Sequence, residues 1–302
     1  MTRREFGSIM AGSLALPALG LAQTVAGVRL GVQTYSFRDL PRTPGGDATD
    51  AISKAMTDCA LSECELWSPQ IEPATAPAGR GTRPTAEQQQ KAREDLRAWR
   101  TDTPLEHFRA IRAKFASAGQ SIYAFNYSFN TSFTDAEIKR GFEMAKALGA
   151  EIITASTTVA VAKRLVPFAD KHQMAVAMHN HSRTDDPNEF ATPESFAAAL
   201  RLSKYFRINL DIGHFTAANY DAVAFIREHH AEITNLHLKD RKKNQGDNVP
   251  WGQGDTPIRE VLQLLKRERW PIRAYVEYEH RGQAGPVDEV KQCAVYARQA
   301  LA

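Results

Sequence analysis

Cysteine is scarce: Cys59, Cys64 and Cys293 are the only three in 302 residues, an odd number without a framework spacing. That excludes a disulfide scaffold or a zinc knot as the organising device, and the three are expected as small buried hydrophobes, with a Cys59–Cys64 pair the lesser alternative. An excess of one charge is missing too, since 38 Lys and Arg against 35 Asp and Glu leave +3. Nothing electrostatic therefore argues for nucleic acid or a membrane surface as partner. There is no apolar run of comfortable membrane-spanning length, no internal repeat and no interdomain linker. No glycine-rich phosphate loop follows the first strand-like run, where GVQTYSFRDL stands instead, so a dinucleotide-binding open sheet is disfavoured.

What the chain does have begins at its first residues. Arg3 and Arg4 precede a short uncharged stretch, SIMAGSLALPALGLA, with Thr2 before the pair and Phe6 two places after it. This resembles a twin-arginine export signal, with Ala22 or Ala26 before the cleavage point. Residues 1–26 are accordingly expected to leave, residues 27–302 to form the mature domain, and the protein to work in the periplasm or outside the cell without stable membrane insertion.

The mature part alternates short apolar or β-branched runs with stretches of helical period. The strand candidates are VRLGVQTYS (28–36), ECELW (63–67), SIYAFNY (121–127), EIITAS (151–156), MAVAMHNH (174–181), RINLDIGH (207–214), ITNLHLKD (233–240) and IRAYVEYE (272–279). Eight βα pairs in this length predict a closed (β/α)8 TIM barrel in one domain. Thr192 with Pro193 marks a helix start. A polar insertion, roughly Ser68 to Thr103, predicts a loop and helix over the top of the barrel.

Strand side chains alternate between barrel interior and helix layer, so parity sorts the polar residues. Ile208, Leu210 and Ile212 oppose Asn209 and Asp211; Leu236 and Leu238 oppose Asn235, His237 and Lys239; Ile272, Ala274 and Val276 oppose Glu277 and Glu279; Met174, Val176 and Met178 oppose His179 and His181. His179, Asp211, His237 and Glu277 thus converge inward from four consecutive strands, about one βα unit apart, near the C-terminal ends where barrel enzymes build their sites. Singly, each has a bland explanation, such as a satisfied core histidine or a capping aspartate. Together they form a ligand set for Mn²⁺, Co²⁺, Fe²⁺, Zn²⁺ or, less well, Mg²⁺, and are costly to bury without a cation or protons.

The ordered motifs GVQTYSFRD, HNH, LDIGH, HLKD and VEYE resemble the xylose-isomerase-like barrel family of sugar phosphate isomerases and epimerases. The resemblance covers nearly the whole mature chain and implies metal ligands at His179, Asp211, His237 and Glu277. It departs at His179, followed by Asn180 and His181, where the epimerases carry a glutamate. The chemistry implied is proton abstraction beside a carbonyl, with Glu277 as ligand and base, His179, His181 or Glu65 as second proton carrier, and His214 and Lys239 on substrate oxygens. Gln33, Tyr35, Phe37 and Trp251 are expected to shape the pocket, though packing alone accounts for Phe37. The substrate expected is a non-phosphorylated sugar, keto-glycoside or cyclitol, with β-elimination as alternative to epimerisation and a non-catalytic sugar-binding barrel as the reading from another class. A homo-oligomer is left open. The nuclease reading suggested by endonuclease IV needs more ligands than four strand ends supply, and the basic RKK, Arg241–Lys243, reads as a solvated loop.

Overall fold

Alternating side chains turn the short runs into strands that the computed structural model, which describes residues 24–42, 46–73 and 85–302, closes into a barrel. After a two-residue strand β1 (Thr24–Val25), the barrel strands are β2 (Val28–Gln33), β3 (Glu63–Trp67), β4 (Ser121–Asn126), β5 (Ile152–Ser156), β6 (Ala175–His179), β7 (Phe206–Asp211), β8 (Ile233–Leu238) and β9 (Arg273–Val276). Each of β2 to β8 pairs in parallel with its successor, and β9 pairs with β2, so the barrel has no free edge. This is the expected TIM barrel. The twin-arginine stretch, residues 1–23, lies outside the described residues, as do residues 74–84 of the polar insertion.

The helices are α1 (Thr49–Asp58), α2 (Ala86–Asp102), α3 (Leu105–Ser117), α4 (Asp135–Leu148), α5 (Val159–His172), α6 (Pro193–Leu200), α7 (Ile212–Ala217), α8 (Ala222–His229), α9 (Ile258–Glu268) and α10 (Pro286–Leu301). Local signals set their ends. Thr192 caps α6 with Pro193 in its first turn, as its sequence predicts, and Thr134 with Glu137 forms a reciprocal capping box on α4. Ile208, Leu210, Leu236 and Val276 pack between barrel and helices, while their neighbours Asn209, Asp211, Asn235 and His237 fill the interior. Low in that interior, Tyr275 lies where a Cβ on Gly31 would come within 2.5 Å of its ring, so only glycine admits the tyrosine. The three cysteines are free and buried, as expected of small hydrophobes.

One expectation needs correction. The run RINLDIGH is not strand to its end: β7 stops at Asp211, whose Oδ1 accepts the His214 N–H at 2.7 Å and caps α7. Gly213 lets that helix start against β8, because a Cβ there would lie 2.6 Å from the Lys239 carbonyl oxygen. The helix of the insertion is α2. It rests beside α4, where Arg97 and Arg100 pair with Glu137, and Arg100 also with Glu72.

Candidate active site

Glu65 on β3 lies in the middle of the barrel, fully buried, beneath the strand ends. Its Oε1 accepts from Gln33 Nε2 (2.8 Å), Asn126 Nδ2 (3.0 Å) and Thr154 Oγ1 (2.7 Å). Its Oε2 takes Asn235 Nδ2 (2.9 Å), Asn209 Nδ2 (3.4 Å) and His237 Nε2 (2.9 Å). Five strands thus place six polar side chains on one carboxylate. Glu65 is one layer too deep to meet a substrate as its sequence position suggests, and it orients His237 instead.

Directly above, one ring nitrogen or carboxylate oxygen from each of His179, Asp211, His237 and Glu277 falls within 4.8 Å of the others, and all four residues are buried. Each also has a buried polar atom without a hydrogen-bond partner: His179 Nδ1, Asp211 Oδ2, His237 Nδ1 and Glu277 Oε2. Buried polar atoms are nearly always hydrogen-bonded, and four that are not, on four converging side chains, match the demand of a cation, although Lys239 already ion-pairs with the two carboxylate oxygens. The opposite atoms are already used: His237 Nε2 by Glu65, and Asp211 Oδ1 by the cap of α7. Asn180 clasps the Asp211 backbone, accepting its N–H at 2.8 Å and donating to its carbonyl at 3.1 Å. A divalent metal fits this donor set.

The ammonium of Lys239, 2% exposed, stands at 2.9 Å from Asp211 Oδ2, 2.8 Å from Glu277 Oε2 and 2.6 Å from Glu279 Oε2. The first two are ion-pair contacts without directed hydrogen-bond geometry; that to Glu279 is a hydrogen bond. Burial disfavours the Lys239 charge, yet Asp211, Glu277 and Glu279 outweigh it and raise its pKa. Burial likewise pushes Glu277 up, but Lys239 and His237 hold it well below the usual carboxylate range. Asp211 goes the other way: burial, opposed by Lys239 and reinforced by Glu277, lifts it to about 7. His237 is held well above the ordinary imidazole range because Glu65 and Glu277 overcome its burial, whereas burial and the His237 charge hold His179 well below it.

The cavity over these groups has a volume of about 260 Å³ and takes lining side chains from every barrel strand or the residues just after it. Of the residues expected there, Gln33, Tyr35, His179, His181, His214, His237, Lys239 and Glu277 line it. Phe37 is a buried core residue. Trp251 lies elsewhere, with Tyr296 and Cys293 at a larger surface cavity of about 770 Å³ that holds no comparable ligand set. The alternation that puts hydrophobes near a pocket says nothing about which loop folds back, and Trp251 stands on such a loop.

Several site residues escape the sequence reading. Trp67, edge-to-face with Tyr35 at 4.8 Å, and Asn126, Ser128 and Ser156 are strand-end residues lining the cavity. Their signal was their position at the C-terminal ends of β3, β4 and β5. Glu279 was on the right face and also lines the cavity. Glu189, far from any strand, accepts from His181 at 3.2 Å through Oε2 and from Arg183 at 2.8 Å through Oε1. Arg241 corrects the solvated-loop reading of RKK: Lys242 and Lys243 are exposed, but Arg241 is half-buried with Nη1 at 2.6 Å from His214 Nδ1 and 3.0 Å from Ser182 Oγ.

A family model described as xylose isomerase-like TIM barrel matches residues 84–298. No curated protein sequence matches the chain. Among solved structures, similar folds include an L-ribulose 3-epimerase (11% identity, 91% of this chain and 94% of that one, TM-score 0.62). A 3-keto-D-glucoside 4-epimerase from E. coli aligns at 9% identity over 90% and 99% of the two chains, TM-score 0.61. The probable 3-DHS dehydratase of petrobactin synthesis from Bacillus anthracis aligns at 15% identity over 87% and 97%, TM-score 0.59. At these identities the likeness is one of fold.

Proposed function

The chain belongs to the xylose isomerase-like TIM barrel family, and from that premise we propose that it is a divalent-metal-dependent enzyme that isomerises or epimerises an uncharged sugar, keto-glycoside or cyclitol. The observation that carries the reading is the convergence of four buried side chains, His179, Asp211, His237 and Glu277, each with a buried ligand-type atom that makes no hydrogen bond. These residues would hold the metal, which when bound polarises a substrate carbonyl and stabilises an enediolate.

Glu277, ionised and at the cavity wall, takes the proton from the carbon beside the carbonyl. His181 returns it. Its Nδ1 faces the acceptor-only carboxylate of Glu189, which leaves Nε2 for the substrate, an acid–base pairing of the ordinary kind. Lys239, its charge pinned between carboxylates, sits where it steadies a developing oxyanion. Tyr35 and Trp67 offer aromatic faces to a sugar ring.

Charge balance supports an uncharged substrate. Glu65, Asp211, Glu277 and Glu279 are offset by Lys239, Arg241 and one divalent cation, so no positive surplus remains for a phosphate or carboxylate. The cavity, below the roughly 300–1,000 Å³ of drug-sized ligand sites, suits one small ring. The same His181–Glu189 pair, set at the rim, would protonate a leaving oxygen in a β-elimination, the second reading. The similar folds include four structures named as epimerases, two of them as sugar phosphate isomerase/epimerase, and one named as a probable dehydratase, in keeping with both readings of the reaction. The test is turnover by metal-loaded protein of uncharged keto sugars against their phosphorylated or carboxylated counterparts. Turnover confined to the charged compounds overturns the substrate assignment.

Export by the twin-arginine route is part of the proposal and rests on Arg3, Arg4 and the uncharged stretch after them.

A further inference from the structure

His214 stands between two groups that can only donate. Lys239 Nζ is 3.1 Å from its Nε2, and Arg241 Nη1 is 2.6 Å from its Nδ1. Both ring nitrogens face donor-only cations, and Asp211 Oδ2, 4.0 Å from Nε2, is beyond hydrogen-bond reach, so no acceptor is in place for a second ring proton. The ring is therefore neutral and owns a single lone pair, so only one of the two neighbours can donate to it.

The surroundings decide which. A guanidinium can only donate, and that of Arg241 is locked in place: Nε and Nη2 both donate to the Gly246 carbonyl, at 3.1 and 2.7 Å, and Nη1 also reaches Ser182. The loop beneath it is held in turn by Asp240, whose carboxylate accepts from the Gly252, Gly254 and Thr256 N–H groups. Among the described residues no carboxylate pairs with Arg241, so His214 is part of how its charge is satisfied. The ammonium of Lys239 is surrounded instead by oxygens of Asp211, Glu277 and Glu279 and needs no lone pair from the ring.

We infer that Arg241 is a positioning residue that fixes His214 as the Nε2–H tautomer, so that this imidazole presents a hydrogen-bond donor to a substrate oxygen and is barred from binding a metal. A neutral ring cannot accept from Arg241 at Nδ1 and also offer a lone pair to a cation at Nε2. The cluster of His179, His181 and His214, whose ring nitrogens also lie within 4.8 Å of one another, is on this account no second metal site. Only the destination of the donated hydrogen bond rests on the proposed function; the tautomer does not.

The test is a two-bond ¹H–¹⁵N correlation spectrum of the whole chain labelled with ¹⁵N-histidine, with the His214 signals assigned from H214Q. The expected wild-type pattern has a protonated Nε2 and a lone pair on Nδ1; it is kept in R241K and shifts towards the Nδ1–H form in R241M. A His214 that is Nδ1–H or doubly protonated in the wild type overturns the inference, as does an unchanged His214 pattern in folded R241M. The readout needs neither substrate nor metal, so a failed activity screen and a failed tautomer assignment are separate results.

Discussion

His237 points its Nε2 at Glu65 Oε2 from 2.9 Å and leaves its Nδ1 3.3 Å from Glu277 Oε2, without a hydrogen bond. The buried carboxylate thus selects which nitrogen of His237 is offered upward. Because Glu65 itself accepts from five further side chains, the orientation is built into the barrel rather than left to the metal.

Replacing Glu65 by Gln swaps an all-acceptor group for one that must donate into a ring of donors. Metal affinity is expected to fall by about 10–100-fold, the usual cost of losing such a partner. Titration calorimetry with Mn²⁺ or Zn²⁺ on folded E65Q checks this. Unchanged affinity contradicts the orienting role.

Metal binding is expected to strengthen as pH rises. Without metal, Asp211 is lifted to about 7 and His237 is held above the imidazole range, so both keep protons that a cation must displace. For both groups the folded-state pKa exceeds the unfolded one, so the native state binds more protons and metal-free stability declines as pH rises through that window. The rise in melting temperature on adding metal should therefore grow between about pH 5 and pH 8. Calorimetry in buffers of different ionisation enthalpy should also show proton release. A pH-independent affinity rules out this ligand set.

The Glu137 carboxylate closes the Thr134 cap and pairs with Arg97, and those bonds outweigh its burial and lower its pKa. A lowered carboxylate contributes stability above its unfolded pKa and loses it as pH falls through the folded value. E137Q should cost about 1–2 kcal/mol at pH 7, and the difference from wild type should shrink towards pH 3. Parallel denaturant melts at the two pH values measure it; equal stability at pH 7 refutes the role.

Strand β1 pairs with the start of β2, Val25 against Val28 and Thr24 against Arg29, through a turn in which Ala26 and Gly27 take positive φ. Removing the first 26 residues would cut that hairpin, whereas removing 22 would spare it. Of the two expected cleavage points, Ala22 is therefore the one proposed, and the intact mass of exported protein reads it. A mature chain beginning at Gly27 contradicts it, and an uncleaved chain contradicts the export proposal itself.

The barrel and the four-residue ligand set were legible because both follow from alternation: period two along a strand separates Asn209 and Asp211 from Leu210 whatever the rest of the chain does. Depth along the barrel axis was not. Glu65 and Glu277 share an inward face, and only the stagger of the strands puts one in the middle and the other at the mouth. Loop residues were harder still. Arg241 and Trp251 lie on one connection between β8 and α9, and nothing in their spacing says that the first turns back to His214 while the second packs by Tyr296. His181 was brought to the cavity not by strand parity, since β6 ends at His179, but by its N–H bond to the Phe190 carbonyl.

Glu277 is proposed to remove a proton from the carbon beside a carbonyl of an uncharged sugar. Proton NMR in D₂O with metal-loaded protein follows that hydrogen directly across a panel of ketoses, keto-glycosides and inososes. Metal-dependent deuterium wash-in is expected at that one carbon for at least one uncharged compound, abolished in E277Q. Product formation with the carbon-bound hydrogen retained, or wash-in undiminished by E277Q, would contradict it.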